Sequence, residues 1–292
     1  MVKRKLTDKD ILSLSSLYNS GLSSWAIAEK FNTYHSNILY HLKKLGLRRR
    51  NRSSAAKEGV KAGRILIKKN LIPKSLKLNE DLAYLLGVLC GDGYMDYSND
   101  RRTYYIGLSA VDKEFVDNFK GALHNYFKIK PTDEFRKSRK ENWRDQYITR
   151  MCSKEVCDFI NKLGKFGKFE WNIPEAIINS DNNLKIFFLK GFFDSEGEID
   201  KQSGRVGATS ANFIGLNQIG KLLRDLKINF TIIKVKDSRP NTHQKYKLRV
   251  HDKKSILSFR NLIGFTIKRK QEVLDNVKEV TMFPRDRDRL TP

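Results

Sequence analysis

The sequence predicts an α+β protein: two copies of one unit, each reading helix, two strands, helix, two strands, helix, preceded by a small all-α domain. Three observations carry this. LLGVLCGDGYMD at 85–96 aligns without gaps with LKGFFDSEGEID at 189–200. GLSAVDKEFVDNFKGAL (107–123) aligns with GATSANFIGLNQIGKLL (207–223), and YITRMCSKEVCDFINKLG (147–164) with YKLRVHDKKSILSFRNLIG (246–264). The apolar spacing is helical up to residue 47, and from residue 80 helical stretches alternate with period-two segments.

Taken in order, DKDILSLSSLYNSG (8–21) reads as a helix ended by Gly21, LSSWAIAEKF (22–31) as a second capped by Ser23 or Ser24, and NTYHSNILYHLKKLGL (32–47) as a third. Ile27, Ala28, Phe31, Ile38, Leu42 and Leu45 keep the spacing of a three-helix core. The stretch GLSSWAIAEKFNTYHSNILYHLKKLGL resembles a helix-turn-helix module, which implies DNA contacts from Ser36, Asn37, Tyr40 and Lys43 on the third helix. A plain helical bundle with a solvated face is the alternative. Residues 1–47 thus form one domain.

Residues 48–78 read as a basic linker. RRRNRSSAAKEGVKAGRILIKKNLIPK (48–74) holds ten basic residues and one acid, with Arg48, Arg49, Arg50 and Arg52 suited to a phosphate backbone. The two repeats follow at 79–178 and 179–280, then a tail at 281–292. Their strands alternate: Lys245, Lys247 and Arg249 fall on one face against Tyr246, Leu248 and Val250. Lys234 and Lys236 oppose Ile233 and Val235, Lys137 shares a face with Arg139, and Arg144 and Gln146 share one with Arg150. With Arg205, these form an overwhelmingly positive face expected to meet an anion. Solvated faces usually mix signs.

The 292 residues carry a formal charge of +24, a field that attracts a polyanion and makes nucleic acid the default partner. The first 75 residues hold 17 basic and 4 acidic side chains, so the charge is concentrated at the front. No apolar stretch approaches the roughly 18 residues of a membrane span, and the start MVKRKLTDKD has no apolar signal region. Three scattered cysteines and five histidines without paired spacing offer neither a disulfide framework nor a zinc site. An intracellular, reduced protein with no targeting signal, cytoplasmic or organellar, is expected. GLNQIGK (215–221) imitates the start of a P-loop, but Leu222 replaces the required Ser or Thr and the segment reads as an amphipathic helix.

The chemistry centres on the repeated motif. A carboxylate at a helix C-terminus is repelled by the helix dipole, so Asp92 and its counterpart Glu196 need a cation. Gly87 and Gly91, like Gly191 and Ser195, lie four residues apart on one helical face. That spacing lets the two motif helices pack closely on a pseudo-twofold axis, bringing Asp92 and Glu196 together. Gly93 and Gly197 then release the chain as C′ residues. Paired carboxylates suit Mg²⁺, a hard, oxygen-ligated ion that commonly shares its shell with phosphates.

LLGVLCGDG (85–93) and LKGFFDSEG (189–197) resemble the nine-residue motif of the LAGLIDADG homing endonucleases of the single-chain, two-repeat kind, over roughly residues 80–280. The resemblance implies two αββαββα units forming a saddle whose sheets lie in the major groove of a long double-stranded DNA site. It also implies a monomer in which Asp92 and Glu196 bind metal at the scissile phosphates, leaving a double-strand break with short 3′ overhangs. Mg²⁺ is the expected cofactor, with Mn²⁺ substituting and Ca²⁺ binding without cleavage. The family places a basic residue of each unit near the attacking water; Lys268 in GFTIKRKQ and Lys168 in GKFGKFE are the candidates, Lys268 first. Cys90 stands where the family commonly has an acid, whereas Asp194 keeps it. Two alternatives remain, an intron RNA maturase and a non-catalytic transcription regulator built on the same core. An intron-encoded or free-standing enzyme is expected, since no intein ends are visible.

Overall fold

The computed structural model of the chain describes residues 3–61, 76–138, 140, 143–167, 169–235 and 243–276, with backbone only for Arg52 and Ser53. The chain divides into two compact units, 1–69 and 70–292.

The first unit holds α1 (Asp8–Asn19), α2 (Ser24–Lys30), α3 (His35–Lys44) and α4 (Arg52–Lys61). Thr7 and Asp10 close a capping box on α1, which satisfies two otherwise open amides and contributes about 1 kcal/mol. Ser23, not Ser24, caps α2, its Oγ accepting from Ala26 N at 3.1 Å. Leu14, Tyr18, Ile27, Ala28, Ile38 and Leu42 are buried together. Leu45 is not part of this core: α3 stops at Lys44, Gly46 takes a positive φ of 72°, and the chain turns back so that Leu47 packs instead. Part of the segment read as a linker is helix α4.

The second unit runs α5 (Glu80–Leu89), β1 (Tyr94–Ser98), β2 (Thr103–Ala110), α6 (Lys113–Phe127), β3 (Thr132–Arg136), β4 (Gln146–Cys152) and α7 (Lys154–Leu163). After α8 (Glu175–Ile178) the pattern returns as α9 (Asn182–Glu196), β5 (Gly197–Ile199), β6 (Val206–Ser210), α10 (Phe213–Asp225), β7 (Thr231–Val235), β8 (Lys245–Val250) and α11 (Lys253–Leu262), and α12 (Lys268–Asp275) closes it. The two sheets are antiparallel with the same order, β1-β2-β4-β3 and β5-β6-β8-β7. The P-loop imitation lies inside α10, where Ile219, Leu222 and Leu223 are buried.

Past Glu80 and Asp81 helix α5 is apolar on every side, and every residue from Leu82 to Leu89 is buried, as a central helix requires. It packs on α9 with almost no space between backbones. A Cβ on Gly87 would lie 2.0 Å from the Phe188 carbonyl oxygen, and one on Gly191 2.2 Å from that of Tyr84. Tyr84 and Phe188 occupy the same motif position, so the two contacts are mates across the pseudo-twofold axis. One continuous core, including Phe115, Phe119, Phe188, Phe192, Phe193 and Phe259, spans both repeats.

Candidate active site

The close approach of α5 and α9 sets where the acids fall. Helix α5 ends at Leu89 with Cys90 as its cap, so Asp92 lies in the turn beyond it; Glu196 is the last residue of α9. A Cβ on Gly91 would stand 2.4 Å from Ser195 Cβ and 3.1 Å from Glu196 Cγ. Both acids line a cavity of about 690 Å³ with Trp171, Thr209 and Lys245. Gly93 and Gly197 are not left-handed caps, since Gly197 has φ −71° and Gly93 is absent from the positive-φ residues. What each lacks is room: a Cβ would meet Val88 O at 2.9 Å and Phe193 O at 2.1 Å, respectively.

Burial and the charge of Asp92 push Glu196 up to about 7, and the Lys270 ammonium partly offsets this. Asp92 is open to the cavity, yet the protein around its carboxyl raises it too, again opposed by Lys270. Like charges brought together in a low-dielectric site resist ionising. Among the described residues no cluster of three or more His, Cys, Asp or Glu is arranged to hold a metal. The donor set is therefore two carboxylates, all oxygen, one of them open to solvent. That fits a hard divalent cation whose remaining positions are taken by phosphate and water.

The cation beside the acids is Lys270, not Lys268. Lys268 is exposed, whereas Lys270 is 8 % exposed and donates to the carbonyls of Asp194 at 2.8 Å and Phe193 at 3.4 Å. Burial lowers its pKa, opposed by Asp194 and Asp92. The sequence held the signal: Ile267, Lys270 and Leu274 fall on one helical stripe and all three are buried.

Asp194 anchors this segment. It is 1 % exposed and accepts from Tyr84 Oη at 2.9 Å, Thr266 N at 2.8 Å and Thr266 Oγ1 at 2.6 Å. Between Thr266 and Lys270 the chain is thus tied to α9. Arg269 reaches into the first repeat, donating to Asp112 from Nε at 2.7 Å and Nη2 at 2.6 Å. Cys90, at the position of Asp194 in the first motif, is buried and apolar in its surroundings, and that burial pushes its thiol well above the usual range.

The strand register corrects two readings of the basic face. Lys234 lies opposite Tyr246, on the helix-packed face and not with Lys245, Lys247 and Arg249. The first sheet is not overwhelmingly positive: Glu134 pairs with Arg136 at 3.1 Å and Arg150 at 2.8 Å, and Asp96 with Arg101 at 3.3 Å. Gln146 lies opposite Arg136 on that same face, while Lys137 and Arg144 are exposed beyond the strand ends. Arg205, Lys247 and Arg249 gather with Glu198 and Asp200 round a hollow of about 240 Å³ on the second sheet.

In the first unit Ser36, Tyr40, Lys43, Arg48 and Arg49 are exposed, and Asn37 is half-buried. Arg50 faces inward. Its guanidinium stacks 4.0 Å over the Tyr18 ring and donates to the carbonyls of Leu22 at 3.1 Å and Tyr18, so it braces the helices in place of meeting phosphate. Lys168, Arg139 and Lys236, and the side chain of Arg52, lie outside the described residues.

Two equivalent α+β halves sharing one pair of acids at the ends of packed motif helices define a duplicated single-chain core. The chain belongs to the LAGLIDADG-like domain family, whose model matches residues 79–164 and 183–264. It is 29% identical over 216 residues to an uncharacterized protein of Methanocaldococcus jannaschii, covering 70% of this chain and 73% of that one. To a second uncharacterized protein of that organism it is 35% identical over 139 residues, 48% of this chain and 49% of the other, so it spans about half that relative's length. Among solved structures, I-DmoI in complex with DNA and Ca aligns with TM-score 0.49 and 21% identity over 67% of this chain and 97% of that one. Among the described residues, no helix is long and apolar enough to cross a membrane.

Proposed function

We propose that the protein is a metal-dependent DNA endonuclease that cuts both strands of a long duplex site, leaving short 3′ overhangs, and that it acts as a monomer in intron homing. The observation that carries this reading is the pairing of Asp92 and Glu196, one from each repeat, at a single cavity beside the buried ammonium of Lys270. Two acids on a pseudo-twofold axis suit two scissile phosphates, one per strand. A divalent cation, Mg²⁺ in our reading, would be held by Asp92 and Glu196 and would supply Lewis-acid stabilisation of the leaving oxygen.

The chain's own groups do the rest. Asp92 and Glu196 would hold the cation at the point where the two motif helices meet, and Lys270 offsets negative charge that grows as the phosphorus is attacked. Asp194 holds the turn that carries Lys270. Lys245, Lys247 and Arg249 grip the duplex backbone, and the first unit, read as a helix-turn-helix, adds contacts from Ser36, Tyr40, Lys43, Arg48 and Arg49. A regulator built on this core would have no use for a charged pair whose ionisation is resisted by burial; retention of both acids favours catalysis. The test is selection of cleaved duplexes from a random DNA library with Mg²⁺. Recovery of one cut site per selected sequence, lost in EDTA, supports the reading, and a library left intact in Mg²⁺ and Mn²⁺ refutes it.

A further inference from the structure

The two sheets carry the same strand order but different charge. The register fixes which strand residues share the face turned away from the helices. In the first sheet that face carries Asp96 and Glu134 against Arg136 and Arg150, a balance of two and two. In the second it carries Lys245, Lys247 and Arg249 against Glu198, which pairs with Lys247, and just past the strand end Asp200 is matched by Arg205, so the excess of positive charge stays with this sheet. The first face is instead rich in uncharged hydrogen-bonding groups, among them Tyr94, Tyr105, Ser109 and Gln146. Its arginines are held in fixed orientation by Glu134.

Phosphate contacts supply affinity without sequence information, whereas oriented polar groups in a groove read base edges. We infer that the two repeats divide the work on bound DNA: the second sheet is the electrostatic anchor, and the first is the sequence reader. This rests on the reading of the protein as a DNA endonuclease, and it adds that the two half-sites are recognised by different physics. Cations that neutralise phosphates release counterions, about 0.9 in the slope of log affinity against log salt per phosphate. The anchor half therefore sets the salt slope and tolerates base changes, while the reader half contributes little slope and rejects mismatches.

The experiment uses the full chain in EDTA and a duplex selected by binding from a random library. For Lys245→Gln/Lys247→Gln/Arg249→Gln the salt slope is expected to fall by about 2–3, with sequence preference in both half-sites retained. Arg136→Gln/Arg150→Gln is expected to lower the slope by less than about 1 and to flatten the preference in one half-site. The converse variant Asp96→Asn/Glu134→Gln gives the first sheet an excess of positive charge, and the slope should rise by about 1–2. Equal slope changes from the two sheets, or no rise in the converse variant, overturn the inference. If the wild type binds the selected duplex but does not cut it with Mg²⁺, the nuclease reading falls and the division of labour stands. If it binds no duplex, both fall.

Discussion

Lys270 donates from Nζ to the backbone carbonyl of Asp194 at 2.8 Å, while the Asp194 carboxylate holds Thr266 four residues earlier in the chain. One acidic residue thus fixes both ends of the turn that delivers the ammonium to the acids.

Lys270→Met should lower the single-turnover cleavage rate by about 10²–10³, the usual loss when a preorganised electrostatic group is removed, whereas Lys268→Met should leave the rate within about threefold. Quench-flow cleavage of a selected duplex separates the two. Equal losses would return the role to Lys268 or share it.

Asp92→Asn and Glu196→Gln should each abolish metal-dependent cutting and leave duplex affinity within a few-fold, because neither acid belongs to the basic sheet face. Cleavage assays paired with binding in EDTA decide this, and a variant that cuts at the wild-type rate removes the assigned role.

The pH dependence follows from Glu196, at about 7 against an ordinary 4.5. Between those values the unfolded chain has released a proton that the folded chain still holds. Metal-free protein therefore loses stability as pH rises through that window, by up to about 3 kcal/mol. In Glu196→Gln this loss is absent, so its advantage in Tm over wild type should widen from pH 5 to about 7.5 and then level off. A difference independent of pH in EDTA would contradict the account.

Gly191→Ala should cost at least about 2 kcal/mol, since overpacking of a tight core typically costs 1–3 and here the obstacle is the Tyr84 backbone. Gly121→Ala is the control: it lies in α6, its Cβ would meet nothing within 4 Å, and exchanging glycine for alanine in a helix gains about 0.5–1 kcal/mol. Urea unfolding should show opposite signs.

The duplication was legible because Gly87, Gly191 and the acids must repeat wherever two helices meet backbone to backbone, and the strand alternation followed from period-two spacing. What escaped depends on partners distant in sequence. Lys270 is separated from Lys268 only by the direction of a helix face, and Arg50 reads as one more surface cation until Tyr18 is known to lie beneath it. The balance on the first sheet escaped because Glu134 meets Arg136 and Arg150 only through the strand register. Lys234 illustrates the same limit: alternation within one strand assigns a face, but only pairing with Tyr246 says which face it is.

The reciprocal contact of Gly87 with Phe188 and of Gly191 with Tyr84 means that each half bears a patch fitting either its sister or another copy of itself. Separating the chain near residue 167 would leave two fragments free to choose between homotypic and native pairing. Only the heterotypic product would join Arg269 to Asp112, so that ion pair favours the mixed partnership over the like one, a preference the motif helices alone do not impose.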